Sequence, residues 1–293
     1  MKQVLIVGGS GLLGQELVCL LLNKGMRVHV LTRTPNKSSH LSDLGAVVVK
    51  GDLADTASLD AACRGMDAVV SAAHSMLGRG RYSSEKIDGE GHKNLVDAAV
   101  SAGVKYFLFT SIIGASPDHP LDFCRTKWAV EEHLKQSGMA YNIVRSAAFM
   151  EVHIQELIGK SILEKGKVTL LGKGMNPTNF VSIKDVAQLV AHCMDNPQGH
   201  NQTYDIGGLD NPTRHDIVKL YEAKIGKPVK VSHVPNGVLR FMSRIMKPFH
   251  PGISRILFLS DLYDRTDQTF DVRPFLKTFQ IQPLRVTDFI RDI

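Results

Sequence analysis

Near its start the chain runs Val4-Leu5-Ile6-Val7 and passes at once into Gly8-Gly9-Ser10-Gly11-Leu12-Leu13-Gly14. Four apolar residues without alternation read as a strand buried on both faces of a parallel sheet. The run Gln15 to Asn23 that follows reads as a helix. A tight turn between the two needs a residue free to take positive φ, and Gly8 supplies it. Gly11, without a side chain, lets the main chain approach a pyrophosphate, and Gly14 lets the helix pack against the strand. The free N–H groups and positive dipole end of that helix would meet the phosphates. The spacing therefore predicts a phosphate cradle built from the main chain of Gly8, Ser10, Gly11, Leu12, Leu13 and Gly14.

The next segments repeat the strand–helix alternation. Arg27 to Leu31 reads as a second strand and ends in Thr32-Arg33-Thr34. An NAD-specific chain carries an acid there for the ribose 2′-hydroxyl. A cation suits a 2′-phosphate that an acid would repel. NADP is therefore expected over NAD, with Arg33 reading the phosphate and Thr34 assisting. A third strand, Ala46 to Lys50, leads into Gly51-Asp52-Leu53. Asp52 either accepts from the adenine amino group or caps the helix predicted over 54–63. The fourth strand, Ala68 to Ala72, continues into Ala73 and His74. Small Ala72 and Ala73 let a nucleotide lie close, and His74 either faces the nicotinamide or is a hydrogen-bonded loop histidine. The glycine- and arginine-containing stretch Gly78 to Ser84 suits a loop that covers a site, and Lys86 to Gly103 reads as a long helix.

A fifth strand, Val104 to Thr110, places Ser111 at its carboxyl end, where ligands of open parallel sheets sit and where its hydroxyl can bond a substrate oxygen. On the helix predicted over 122–136, Phe123 and Lys127 stand four apart and share a face. A sixth strand, Tyr141 to Arg145, is followed by Ser146 to Met150, with Phe149 expected over the nicotinamide.

These strings together resemble the atypical short-chain dehydrogenase/reductase group, in its NmrA-like and isoflavone-reductase-like branch. The likeness rests on Gly8, Gly11 and Gly14, Arg33, Gly51-Asp52-Leu53, Asn94-Leu95-Val96-Asp97-Ala98-Ala99, Thr110-Ser111, Lys127, and Phe180-Val181-Ser182-Ile183-Lys184-Asp185-Val186-Ala187. It covers roughly residues 1 to 208. It implies an α/β fold with a Rossmann-type doubly wound parallel sheet, and a nicotinamide cofactor. Two departures matter. The usual Tyr-x-x-x-Lys pair reads Phe123-Cys124-Arg125-Thr126-Lys127, and phenylalanine has no proton to pass. Where relatives have Arg-Pro, this chain has Arg145-Ser146. Isoflavone-reductase-like proteins keep the lysine without needing the tyrosine, which implies a lysine acid/base. Lys127 then either supplies the proton, with a pKa lowered by its surroundings, or only bonds the nicotinamide ribose.

From 151 to 293 the pattern loosens into a smaller α/β substrate region, interwoven with the dinucleotide-binding part at 1–150. Helices are expected over 152–164, 185–194 and 287–292. Strands are expected over 168–171, 179–181, 203–206, 228–234 and 280–286. Thr213 is expected to cap a helix running to Ile225, with Asp216 completing a variant capping box. In Val238 to Met246, residues Val238, Leu239, Met242, Ile245 and Met246 form an apolar stripe with Arg240 and Arg244 beside it. Ile253 to Leu262 is more apolar still. The favoured expectation is a helix pair that walls the pocket and packs on the core; contact of 236–262 with a membrane surface is the alternative.

The net charge of +6 is spread without a Lys/Arg-rich arm, so no nucleic-acid partner is expected. No metal-ligand spacing appears. The four cysteines, Cys19, Cys63, Cys124 and Cys193, are scattered and read as buried thiols of a reducing compartment. With no signal-peptide pattern and no membrane-length apolar run, a cytoplasmic location is expected. The combined expectation is an NADP(H)-dependent oxidoreductase for a small organic substrate such as a quinone, enone or carbonyl. The alternative is a nucleotide-sensing or assembly protein that turns nothing over. A sugar-nucleotide epimerase is disfavoured by the missing tyrosine.

Overall fold

The computed structural model describes residues 1–293. Its strands in chain order are β1 (Gln3–Val7), β2 (Arg27–Thr32), β3 (Val47–Lys50), β4 (Ala68–Ser71), β5 (Tyr106–Ile112), β6 (Ala140–Ser146), β7 (Ala148–Phe149), β8 (Lys167–Leu171), β9 (Phe180–Val181), β10 (Gln202–Ile206) and β11 (Lys230–Val234). Seven of them form one sheet in the order β10-β6-β5-β4-β1-β2-β3. The β1–β2, β2–β3, β1–β4 and β4–β5 pairs are parallel. Val4, Leu5, Ile6, Val69 and Val70 are completely buried, which is why these strands read as unbroken apolar runs. The strand order reverses direction between β1 and β4, and that crevice is where doubly wound sheets receive ligands.

The register sets the site. Val7 pairs with Leu31 and with Ser71, Ser71 with Phe109, and Thr32 with Lys50. The residues that follow these positions, Gly8, Arg33, Gly51, Ala72 and Thr110, therefore emerge along one carboxyl edge.

The chain divides into two compact units, Met1–Arg145 with Val186–Tyr204, and Ser146–Asp185 with Asp205–Ile293. The first contains a core of Leu5, Val69, Leu95, Phe107, Phe109, Val130 and their neighbours. The second has its own core, built around Met150, Ile154, Phe180, Ile217, Tyr221 and Phe289. In the second unit β7 pairs with β9 and β8 with β11, both parallel.

Several expectations are corrected in detail. The helix predicted from Lys86 begins as a π-helical stretch, Glu85–Gly91, and becomes α-helical over His92–Ser101. The helix predicted over 152–164 likewise opens with π-type turns, Glu151–Gly159. A side chain at Gly159 would collide with the Tyr221 hydroxyl, which donates to the Ile154 carbonyl. The strand expected over 280–286 does not form. Its amides go to carboxylates instead: Leu284 N donates to Asp185 (2.8 Å) and Val286 N to Asp210 (3.3 Å). A short helix, Arg273–Thr278, precedes it and carried no periodic signal. The capping box at Thr213 and Asp216 is present in both directions. The expected core-facing stripe of the helix Asn236–Met246 is also corrected: Leu239 is buried, while Val238, Met242 and Ile245 face solvent. Cys63, Cys124 and Cys193 are buried free thiols, but Cys19 is only half-buried. No helix is long and apolar enough to cross a membrane.

Candidate functional site

The glycine turn is built by three different constraints. Gly8 has φ +91°, and a Cβ there would lie 2.6 Å from the Ala73 nitrogen, so both conformation and the segment after β4 demand glycine. A Cβ on Gly14 would overlap the Gly8 carbonyl oxygen and come 2.6 Å from the Gly9 Cα. Gly11 is different. It is extended, with φ −79° and ψ 170°, and a Cβ would meet only the Gly8 oxygen at 3.4 Å. Packing within the chain does not require glycine at that position. Gly11 is also the N-cap of the helix Leu12–Asn23 and offers no side-chain oxygen to its first amides. Ser10, Gly11 and Leu12 are exposed, whereas Leu13 and Gly14 are buried. Gly9 was not singled out by the sequence, yet a Cβ there would strike Val30 at 2.6 Å.

At the ends of β2 and β3 the loop expected to cover a site does fold over that edge. Arg33 is exposed and its guanidinium lies 4.5 Å over the Tyr82 ring, with Arg81 at 4.9 Å from the same ring. The Tyr82 hydroxyl donates to Asp52 Oδ2 (3.1 Å), and Arg81 stands 3.6 Å from that oxygen. Two cations thus flank one aromatic ring in front of Arg33's strand end. Asp52 Oδ1 accepts from the Ala54 amide (3.0 Å). The expected capping role is corrected: the helix Thr56–Cys63 starts after Asp55, not Asp52. Thr34 is exposed and its amide bonds the Thr32 hydroxyl (3.3 Å). The Leu53 side chain belongs to the core. Arg81 and Tyr82 were legible only as part of a covering loop.

Beyond β4 and β5 lies a buried polar cluster. Lys127 comes from the helix Asp122–Lys135 and is only 3% exposed. Its ammonium donates to the Thr110 carbonyl (3.2 Å) and sits 4.5 Å over the Phe109 ring. Phe123 is buried beside it, its ring centre 5.8 Å from the ammonium. Burial holds the Lys127 pKa below the ordinary lysine value, while the carboxylates of Asp88 and Glu131 pull it back up. Asp88 is wholly buried; Oδ1 accepts from the Ser75 amide (2.9 Å) and Oδ2 has no hydrogen-bond partner. His92, also wholly buried, shares its Nδ1 with the Ile87 carbonyl (2.7 Å) and leaves Nε2 without one. Burial first, then the Lys127 charge, push His92 down to about 4, so its imidazole is neutral. His74 keeps an exposed surface; protein crowding and then the Lys127 charge lower its pKa as well.

Ser111 follows Thr110 on β5. Its hydroxyl donates to Glu131 Oε1 at 2.5 Å, and Arg145 clamps the same carboxylate through Nε (3.0 Å) and Nη2 (2.5 Å). With its proton committed, Ser111 offers an incoming oxygen no donor, only lone pairs for an incoming donor. Glu131 was missed in the sequence, although it lies one turn beyond Lys127 on the same face. Asp88 and His92 were missed too; their spacing of four was the available signal. Phe149, on β7, belongs to the second unit, where β7 pairs with β9.

The profile of the NmrA-like family matches residues 1–272. The photosystem II assembly factor Ycf39 of Synechocystis sp. is 29% identical over 291 residues, covering 97% of this chain and 87% of the relative. The NAD(P)H azoreductase of Xenophilus azovorans is 28% identical over 228 residues, covering 78% and 75%. Among solved structures, the triphenylmethane reductase of Citrobacter sp. complexed with NADP(H) superposes with a TM-score of 0.81 over 99% of both chains, at 20% identity.

Proposed function

The chain belongs to the NmrA-like family, and on that premise we propose that it binds NADP(H) and uses it to reduce a small organic substrate such as a quinone, enone or carbonyl. The observation that carries the reading is Lys127: a buried ammonium with lowered pKa at the carboxyl edge of the sheet, beside a phenylalanine that cannot donate a proton. The cradle fits a dinucleotide. Gly11 has no packing reason to be glycine, and the amides of the following helix turn lack a side-chain cap, as a pyrophosphate site requires. Arg33, with Arg81 near the same Tyr82 ring, supplies positive charge where a 2′-phosphate would lie. The named homologous azoreductase and the structural neighbour complexed with NADP(H) support the same cofactor.

Bound there, the nicotinamide supplies the hydride. The main chain at Gly8, Ser10, Gly11, Leu12, Leu13 and Gly14 holds the phosphates. Arg33 and Thr34 take the 2′-phosphate, and Asp52 and Leu53 flank the adenine. Ala72 and Ala73 would allow close approach, with His74 toward the nicotinamide. Lys127 either bonds the ribose or gives its proton to the reduced product, and burial makes that proton easier to release. Ser111, Glu131 and Arg145 hold the wall beside it rigid.

The test is NADPH oxidation followed by absorbance across a panel of quinones and enones, with wild-type protein and Lys127→Ala. Turnover lost in the variant with NADPH affinity kept assigns Lys127 to the proton, whereas turnover and NADPH affinity lost together assign it to the ribose. A second reading is a cofactor-binding assembly or sensing protein without turnover, favoured by the nearly full-length match to an assembly factor. Tight NADPH binding with no turnover on any acceptor would select it.

A further inference from the structure

The helices Asn236–Met246 and Pro251–Tyr263 form a hairpin whose polarity is inverted relative to an ordinary water-facing pair. The first helix carries three stripes at helical spacing. One is Leu239 and Ser243, both buried, with half-buried Met246. This stripe makes the seam: Ser254 of the second helix donates to the Ser243 carbonyl (2.7 Å), and Asp261, fully buried, is clamped by Arg240 (3.3 Å) and Arg265 (2.6 Å). Two serines and a buried carboxylate thus share the inside with Leu239 and Met246. A second stripe, Val238, Phe241, Met242 and Ile245, faces outward, continued by Phe249 at the connection and Ile253 beyond it. Phe241 is 62% and Phe249 71% exposed. The third stripe is Arg240, Arg244 and Lys247, all exposed. Between 236 and 260 the chain has four cations, Arg240, Arg244, Lys247 and Arg255, and no carboxylate.

We propose that this hairpin docks the protein on an anionic lipid bilayer, with Phe241, Phe249 and their apolar neighbours inserted among the acyl chains and Arg244 and Lys247 against the headgroups. A contiguous outward apolar surface of this kind marks an interaction site. The charge pattern selects the occupant. A second copy joined through a two-fold axis would bring the same basic stripe against itself, with no exposed acid in the segment to relieve the repulsion. An anionic bilayer satisfies both stripes at once, since an amphipathic helix lying in the interface buries its apolar face about 5–10 Å deep with its basic face at the headgroups. The serine seam and the buried Asp261 clamp keep the two helices together without drawing the outward residues inside.

Co-sedimentation of the full-length protein with vesicles tests this. Wild-type protein should partition onto vesicles of phosphatidylcholine and phosphatidylglycerol in equal parts, and less onto phosphatidylcholine alone. Phe241→Ser with Phe249→Ser should weaken binding to both by roughly tenfold or more, since each exposed ring contributes its own transfer free energy. Arg244→Gln with Lys247→Gln should weaken binding to the anionic vesicles roughly 30-fold and leave the weak binding to neutral vesicles unchanged. All four side chains are exposed, so melting temperatures should stay at the wild-type value, and a melt on each variant establishes that the loss is not unfolding. No partitioning of the wild type onto either vesicle overturns the proposal. A stable wild-type dimer in gel filtration that the phenylalanine substitutions dissociate also overturns it, by assigning the face to a second copy.

Discussion

Replacing Gly11 and Gly14 by alanine, one at a time, should separate what the turn does for the fold from what it does for a ligand. At Gly14 the new methyl would overlap the Gly8 carbonyl oxygen and press on the Gly9 Cα at 2.6 Å, and neither is a side chain that can swing away. The backbone of the helix or turn has to move. Overpacking of this kind costs about 1–3 kcal/mol, which for a chain this size lowers Tm by roughly 2–12 °C. At Gly11 the nearest atom stands at 3.4 Å and φ is −79°, a value any residue adopts. Alanine there is a poorer N-cap than glycine but restricts the unfolded chain, and the two effects nearly cancel, within about 1 kcal/mol. The new methyl would instead stand where a pyrophosphate approaches the main chain. Losing one charge-assisted hydrogen bond, worth about 1.5–3 kcal/mol, weakens NADPH roughly 10- to 100-fold. Thermal melts and NADPH titration calorimetry on both variants read the two quantities independently. Gly11→Ala binding NADPH within a factor of about two of wild type, at unchanged Tm, would remove the phosphate from this turn and refute the reasoning.

Arg33→Ala should weaken NADPH roughly 10- to 100-fold while leaving NADH nearly unchanged, because the guanidinium meets a group only NADPH has; equal losses in a fluorescence titration would take Arg33 out of that role. Stability should fall on the acid side through His92. Its folded pKa of about 4 lies below the ordinary histidine value of 6.5, so the unfolded chain takes up the proton first and stability is lost as pH drops from about 6.5 to 4, by roughly 3 kcal/mol at the lower end; urea midpoints measured across that window should show the slope, and His92→Leu should flatten it. Thr213→Ala should cost about 1 kcal/mol, a Tm fall of roughly 2–4 °C, by removing the cap seen at Asp216; an unchanged melt would mean that the capping box adds nothing to the folded state.

Much of the first unit was legible because its signals are local. The apolar runs of β1 and β4, the glycine spacing and the cation after β2 each depend on residues close together in the chain, and the parallel pairing that aligns Gly8, Arg33 and Ala72 follows from alternating strands and helices. The Thr213 and Asp216 box was readable for the same reason. The second unit was harder. Residues 280–286 have strand-like composition, but their amides are taken by Asp185 and Asp210, and no pattern inside the segment announces partners so far away in sequence.

The amino-acid order alone determined that a buried strand meets a glycine turn and a helix, that a basic residue stands after the second strand, and that the tyrosine position holds Phe123. Only the folded chain decided that Lys127 is enclosed with Asp88, His92 and Glu131, that the Ser111 hydroxyl donates its hydrogen bond to Glu131, and that the apolar stripe beginning at Val238 faces outward. The difference is physical. Conformational preference and periodicity act over a few residues, whereas burial, and with it the charge state of a lysine or the face a helix hides, is a property of everything packed around it.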